Sequence, residues 1–168
     1  MLESAFFERG GQSSKTRMEP RLAKFFRLSF SDQRLLMRAA LAVVSAKVAV
    51  RTRPLTAARA MVARVERLGW NAVPERADRI VWAVEAMGRA IPGMKNCLVQ
   101  AIAAEAMLIR AGHPCEFRIG AAKTGPRELI AHAWLESEGK VLIGEFELDR
   151  YTPLVAPDLE GGTRPARH

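Results

Sequence analysis

The spacing of apolar residues along this chain changes once, at Pro114. Between Ser31 and Gly112 they recur every three or four residues, the period of a helix with an inward face. From Cys115 onward they alternate, the period of a strand. A helical half followed by a β half predicts an α+β architecture: N-terminal helices, then a central helix packed on a small antiparallel sheet.

Four helices are expected. The first starts at Ser31-Asp32, runs through Leu35, Leu36, Ala39, Ala40, Val43, Val44 and Lys47, and ends before Pro54, which pushes Arg53 away from helical angles. The second covers 56–68, with Ala57, Ala60, Met61, Val65 and Leu68 inward and Gly69 as its stop. The third covers 76–90 on a stripe of Ile80, Val81, Val84 and Met87, and Pro92-Gly93 breaks the chain after it. The fourth begins at Cys97 and ends at Gly112 and Pro114. Its apolar residues cover several sides, so it is the central, buried helix. Strands follow over 115–120, 129–135 and 141–146, the last two joined by a Glu138-Gly139 turn. Residues 1–24 read as a flexible arm, 25–155 as one domain and 156–168 as a loose tail.

The 168 residues are 49% hydrophobic, enough for one core and incompatible with global disorder. Residues 35–50 are too short for a membrane span and carry Arg38 and Lys47, so they read as a core helix. The net charge of +8 is uneven: residues 1–70 hold 14 Lys/Arg against 5 Asp/Glu, and residues 71–168 hold 12 against 13. Without a compact basic run or interleaved aromatics, the basic half reads as a solvated face and not as a nucleic-acid module. Two cysteines and no secretory signal point to a reducing, cytoplasmic setting with free thiols. No metal-ligand spacing and no phosphate-binding glycine motif occurs, so no cofactor is evident, and the sequence leaves nucleotide dependence open.

Chemistry concentrates in Cys97 and His132. A thiolate at a helix start is favoured by the outward N–H groups there, and an imidazole on a neighbouring strand can take the thiol proton and return it to a leaving amine. His132 lies thirty-five residues after Cys97, within a strand reading His-Ala-Trp-Leu-Glu. Cys115 reads as structural and His113 as an exposed turn residue. Asn96 is either a helix cap or an oxyanion donor. A third residue to orient the imidazole is sought on the last strand, where Glu145 and Glu147 share a face.

The segments Pro92-x4-Cys97-Leu98-x2-Ala101, Leu108 to Gly112, Phe117 to Gly120, His132 to Glu136, Gly139 to Leu142 and Arg150 to Leu154 together resemble the transglutaminase-like (papain-like) core of lasso-peptide leader peptidases. Phe26 to Ser29 and Arg34 to Leu36 are similar to that family's N-terminal helices. The resemblance implies a cysteine peptidase that removes the leader from a ribosomally made precursor, so that a partner cyclase can close a macrolactam. It assigns Cys97 as nucleophile and His132 as general base and acid. The family often carries an aspartate near the position where Gly144 stands here. Either Glu145 or Glu147 substitutes, or the pair works as a dyad; Glu145 is the first candidate. No leader-recognition domain is visible before residue 25, which implies a separate leader-binding protein. Two further readings remain: another transglutaminase-fold amidase or peptidase, and a non-catalytic binding or scaffold protein of the same fold.

Overall fold

The structure, a computed structural model, describes residues 28–69, 74–123, 129–144 and 150–154. Helix α1 (Phe30–Thr52) begins two residues earlier than expected, because Ser29 and not Ser31 is its cap. The Ser29 hydroxyl accepts from the Asp32 amide at 3.1 Å and donates to the Asp32 carboxylate at 2.7 Å, a reciprocal pairing that fixes the first turn. Pro54 ends α1 as the sequence predicts, with the Arg53 amide bonded to Ala49 O.

Helix α2 (Leu55–Gly69) is rotated by about one residue from the expected phase. Ala58, Val62 and Glu66 are buried, whereas Ala60 and Leu68 are exposed. The cause is a carboxylate inside the protein: Glu66 meets Arg38 of α1 at 3.0 Å, both nearly inaccessible to water. Paired charges let a polar position face inward, and the hydrophobic pattern alone misses this. Helix α3 (Ala77–Ala90) buries Ile80, Ala83, Val84 and Gly88.

Helix α4 (Cys97–Arg110) is the centre of the molecule. Residues 101–108 are all buried, and α4 touches all three other helices and strands β1 to β3. Only Ile109, expected inside, is exposed. Strands β1 (Glu116–Lys123), β2 (Leu129–Ser137), β3 (Lys140–Ile143) and β4 (Thr152–Pro153) form one antiparallel sheet in the order β3-β2-β1-β4. Three strands were expected; the fourth is two residues long, pairs with Gly120 and Ala121, and is too short to announce itself by alternation. Glu138 and Gly139 both take positive φ, the two-residue hairpin the sequence predicts.

Pairing fixes the faces of the sheet. Phe117 lies opposite Leu135 and Ile119 opposite Ala133, and these four pack on the helical core. Arg118 opposite Trp134 and Gly120 opposite His132 occupy the alternate positions. Among the described residues no helix is long and apolar enough to cross a membrane. The expected arm and tail lie outside the described residues.

Candidate active site

Cys97 is positioned by the break that precedes it. After α3 the chain turns at Pro92-Gly93, where Gly93 takes φ +75° and the Met94 amide closes onto Ile91 O at 3.2 Å. Gln100 of α4 lies against Gly88 of α3 so closely that a Cβ at Gly88 would fall 2.5 Å from its amide nitrogen. The same amide reaches Met94 O at 3.4 Å, so the turn, α3 and the first turn of α4 are held together.

Asn96 caps α4: its side-chain oxygen accepts from the Val99 amide at 3.2 Å. This settles its geometry as a cap. Asn96 O also accepts from the Gln100 amide. Among the described residues the Cys97 and Leu98 amides have no protein acceptor, and they project from the start of the helix. Cys97 is the first helical residue, half-buried and free of any disulfide. Its thiol therefore shares a helix end with two unpaired N–H groups, a setting suited to an oxyanion.

His132 sits mid-strand in β2, half-buried. Its Nε2–H donates to the Gly144 carbonyl at 2.7 Å. A carbonyl oxygen can only accept, so Nε2 carries the proton and Nδ1 of the neutral ring is left with the basic lone pair. The ring lies 5.1 Å from that of Tyr151 and 6.2 Å from that of Trp134, the latter nearly parallel to it. Gly120, opposite His132, leaves the space these rings occupy: a Cβ there would fall 2.8 Å from Tyr151 Cβ and 3.0 Å from the Trp134 ring. Trp134 is tied in turn, its indole N–H donating to Glu136 at 2.7 Å.

Cys97 and His132 thus stand where the sequence places them, at the start of α4 and on β2. No hydrogen bond joins them among the described residues. The imidazole lies on the face of β2 that carries Trp134, and the face carrying Ala133 and Leu135 is the one packed on the core. Glu145 and Glu147 lie outside the described residues. The group the structure does supply to the imidazole is a backbone carbonyl, that of Gly144, whose φ of +85° and 2.8 Å approach of a virtual Cβ to Ala133 O require glycine. A backbone acceptor leaves no mark on residue type, so a search for a carboxylate passes over it.

Cys115 and His113 have other tasks. Burial pushes the Cys115 thiol up to about 11, with the nearby Glu105 carboxylate adding to the shift and Arg59 opposing it. His113, expected to be exposed, is half-buried, and its Nε2–H donates to Glu75 O at 2.7 Å, pinning the turn after α4 to the start of α3. Arg59 of α2 grips Glu105 through two nitrogens, one at 2.8 Å, and lies 4.7 Å over the Phe117 ring. That clamp joins α2, α4 and β1, and nothing in the hydrophobic pattern signals it. Two clefts, of about 220 and 390 Å³, are lined by the start of α1 and by the Cys115 region; neither is lined by Cys97 or His132. Among the described residues no group of three or more His, Cys, Asp or Glu is arranged to hold a metal ion.

A family model described as the transglutaminase-like superfamily matches residues 40–156, a span that includes Cys97, His132 and Gly144. No curated protein and no solved structure matches the chain.

Proposed function

The chain belongs to the transglutaminase-like superfamily, which includes cysteine peptidases, and from that membership we propose that it is a cysteine peptidase that removes the leader of a lasso-peptide precursor. The observation that carries the reading is Cys97 as the first residue of a buried helix, beside two unpaired amides, inside the matched span.

In the proposed reaction the Cys97 thiol gives its proton to Nδ1 of His132, and the thiolate attacks the scissile carbonyl carbon. The oxyanion is held by the Cys97 and Leu98 amides. Collapse of the tetrahedral intermediate expels the leaving amine, which takes the proton from the imidazolium, and water then hydrolyses the thioester through the same base. The reaction requires Nδ1 to come within hydrogen-bond reach of Sγ when substrate is engaged, because no Cys97–His132 hydrogen bond is present among the described residues. The Gly144 carbonyl keeps the ring in the tautomer this requires; Glu145, with Glu147 as alternate, is proposed as the carboxylate that supports the charged ring. A separate leader-binding protein, a macrolactam-forming cyclase and a reducing cytoplasm complete the proposal.

The test is cleavage of a candidate precursor by purified protein, with and without a leader-binding partner. Cys97→Ala and His132→Ala each lower cleavage at least about a thousandfold while the far-UV circular dichroism spectrum is unchanged. Normal cleavage by either variant sinks the mechanism. Glu145→Gln and Glu147→Gln, made singly, locate the carboxylate.

A further inference from the structure

Helix α1 carries apolar residues on its outer side as well as its inner ones. Its inner faces bury Leu35, Leu36, Ala39, Ala42, Val43 and Ala46 against the other helices. Its outer face is apolar too: Met37, Leu41, Val44 and Val48 are 55%, 41%, 40% and 50% exposed. These are all the residues of the exposed class between 35 and 50, so the outward side of α1 offers water no charge along four turns except at its flanks. A helix that is hydrophobic all round is ordinarily a buried helix.

The spacing of the four is 4, 3 and 4, a strict heptad seam; Phe30, 81% exposed, continues it seven residues before Met37. Such a seam is two side chains wide and suits the knobs-into-holes contact of one partner helix. Immersion in a lipid surface uses a broader apolar face and interfacial Trp or Tyr, which the seam lacks. Cations stand at both ends of it and beside it. Arg34 and Arg51 occupy the next positions of the same heptad line, Lys47 lies beside Val48, and among the described residues none of the three is in an ion pair.

We propose that the outer face of α1 docks a helix of a partner protein whose apolar a/d stripe is flanked by Asp and Glu. Charge selects this occupant over the others. A second copy docked in parallel sets Arg34 against Arg34 and Arg51 against Arg51; docked antiparallel about Leu41 and Val44, it sets Arg34 against Arg51. The chain's own residues 1–27 hold six Lys/Arg against three Glu and repeat the sign of the seam's flanks. Only an acidic partner both covers the apolar side chains and neutralises the cations beside them. The surface is independent of the chemistry at Cys97.

Full-length protein is titrated by fluorescence anisotropy with two synthetic helical peptides of four heptads, both with Leu at a and d, one with Glu and one with Lys at e and g. The Glu peptide binds at least about tenfold tighter than the Lys peptide. The double variant Leu41→Asp/Val44→Asp loses that binding at least about tenfold with an unchanged melting curve, since both side chains are exposed. Lys47→Glu/Arg51→Glu reverses the preference, and Val48→Gln repeats the loss should the double variant melt early. Absence of binding, or equal binding of both peptides, overturns the proposal. So does a dimer in sedimentation that Leu41→Asp/Val44→Asp dissolves, which assigns the seam to a second copy. Flotation with phosphatidylglycerol vesicles that the same variant abolishes assigns it to a membrane. A Val44→Cys thiol that alkylates only after residues 1–27 are removed assigns it to the chain's own N-terminal segment.

Discussion

The two ends of α4 each present a cysteine, and the two thiols meet opposite surroundings. Cys97 opens the helix, where the Cys97 and Leu98 amides point outward without acceptors. Cys115 follows the other end, after a turn in which the Ala111, Gly112 and His113 amides fold back onto helix carbonyls. There it is half-buried, close to the Glu105 carboxylate, and its thiol is pushed up to about 11. The same side chain meets two surroundings because a helix is polar along its axis and because a buried acid, Glu105, sits near only one of its ends. The difference teaches that a cysteine's role is decided by the unpaired backbone groups and charges around it.

The largest effect separates the two thiols by activity. Cys97→Ala removes precursor cleavage, and Cys115→Ala leaves kcat within about twofold, because Cys115 touches neither His132 nor the unpaired amides. Cleavage that depends on Cys115 and survives loss of Cys97 would reverse the comparison. The next effect is read by alkylation. In the Cys97→Ala variant, iodoacetamide at pH 8 modifies Cys115 about tenfold more slowly than free cysteine, since only the thiolate reacts and the loss of thiolate outweighs its greater nucleophilicity. Labelling at the rate of free cysteine would mean that Cys115 is not protected.

How far the sequence disclosed this arrangement differs between the two ends. Pro92-Gly93, Asn96 and the apolar run after them are local signals, and they identify the start of α4 together with Cys97. His132 is legible as a strand residue for the same reason. Arg59 and Glu105 are 46 positions apart and meet only in the fold, so the clamp beside Cys115 leaves no periodic trace. The phase of α2 was lost to the same kind of contact: Glu66 points inward because Arg38 waits there, and hydropathy assigns a carboxylate to the surface. The partner of His132 is a main-chain carbonyl, and the residue types of its neighbours say nothing about it. Local caps and breaks are readable; charge pairs distant in sequence and backbone acceptors are not.

A third prediction sharpens the comparison through Glu105. Glu105→Gln keeps the shape but removes the charge that Arg59 grips, and leaves a largely covered guanidinium without its anion. The expected cost is about 2 kcal/mol of stability, read by urea unfolding, below the range for fully buried pairs because Arg59 is partly exposed. The same variant lowers the Cys115 ionisation and speeds its alkylation, because the Glu105 charge is one of the causes that raise it. A variant as stable as the parent would show that the clamp is an incidental contact.

The smallest effect is a slope against pH, and its sign follows from Cys115 alone. The thiol ionises at an ordinary 9.0 in the unfolded chain and near 11 in the fold, so between those values the unfolded state has lost a proton that the folded state keeps. Stability tied to this group is whole below pH 9 and declines as the pH rises through 11, since the folded state binds more protons in that window. Other alkaline groups titrate there as well, so the measurement is the difference between parent and Cys115→Ala in urea unfolding at pH 8, 9, 10 and 11. The parent falls more steeply than the variant above pH 9, whereas parallel curves would show that burial does not hold the Cys115 proton in the fold.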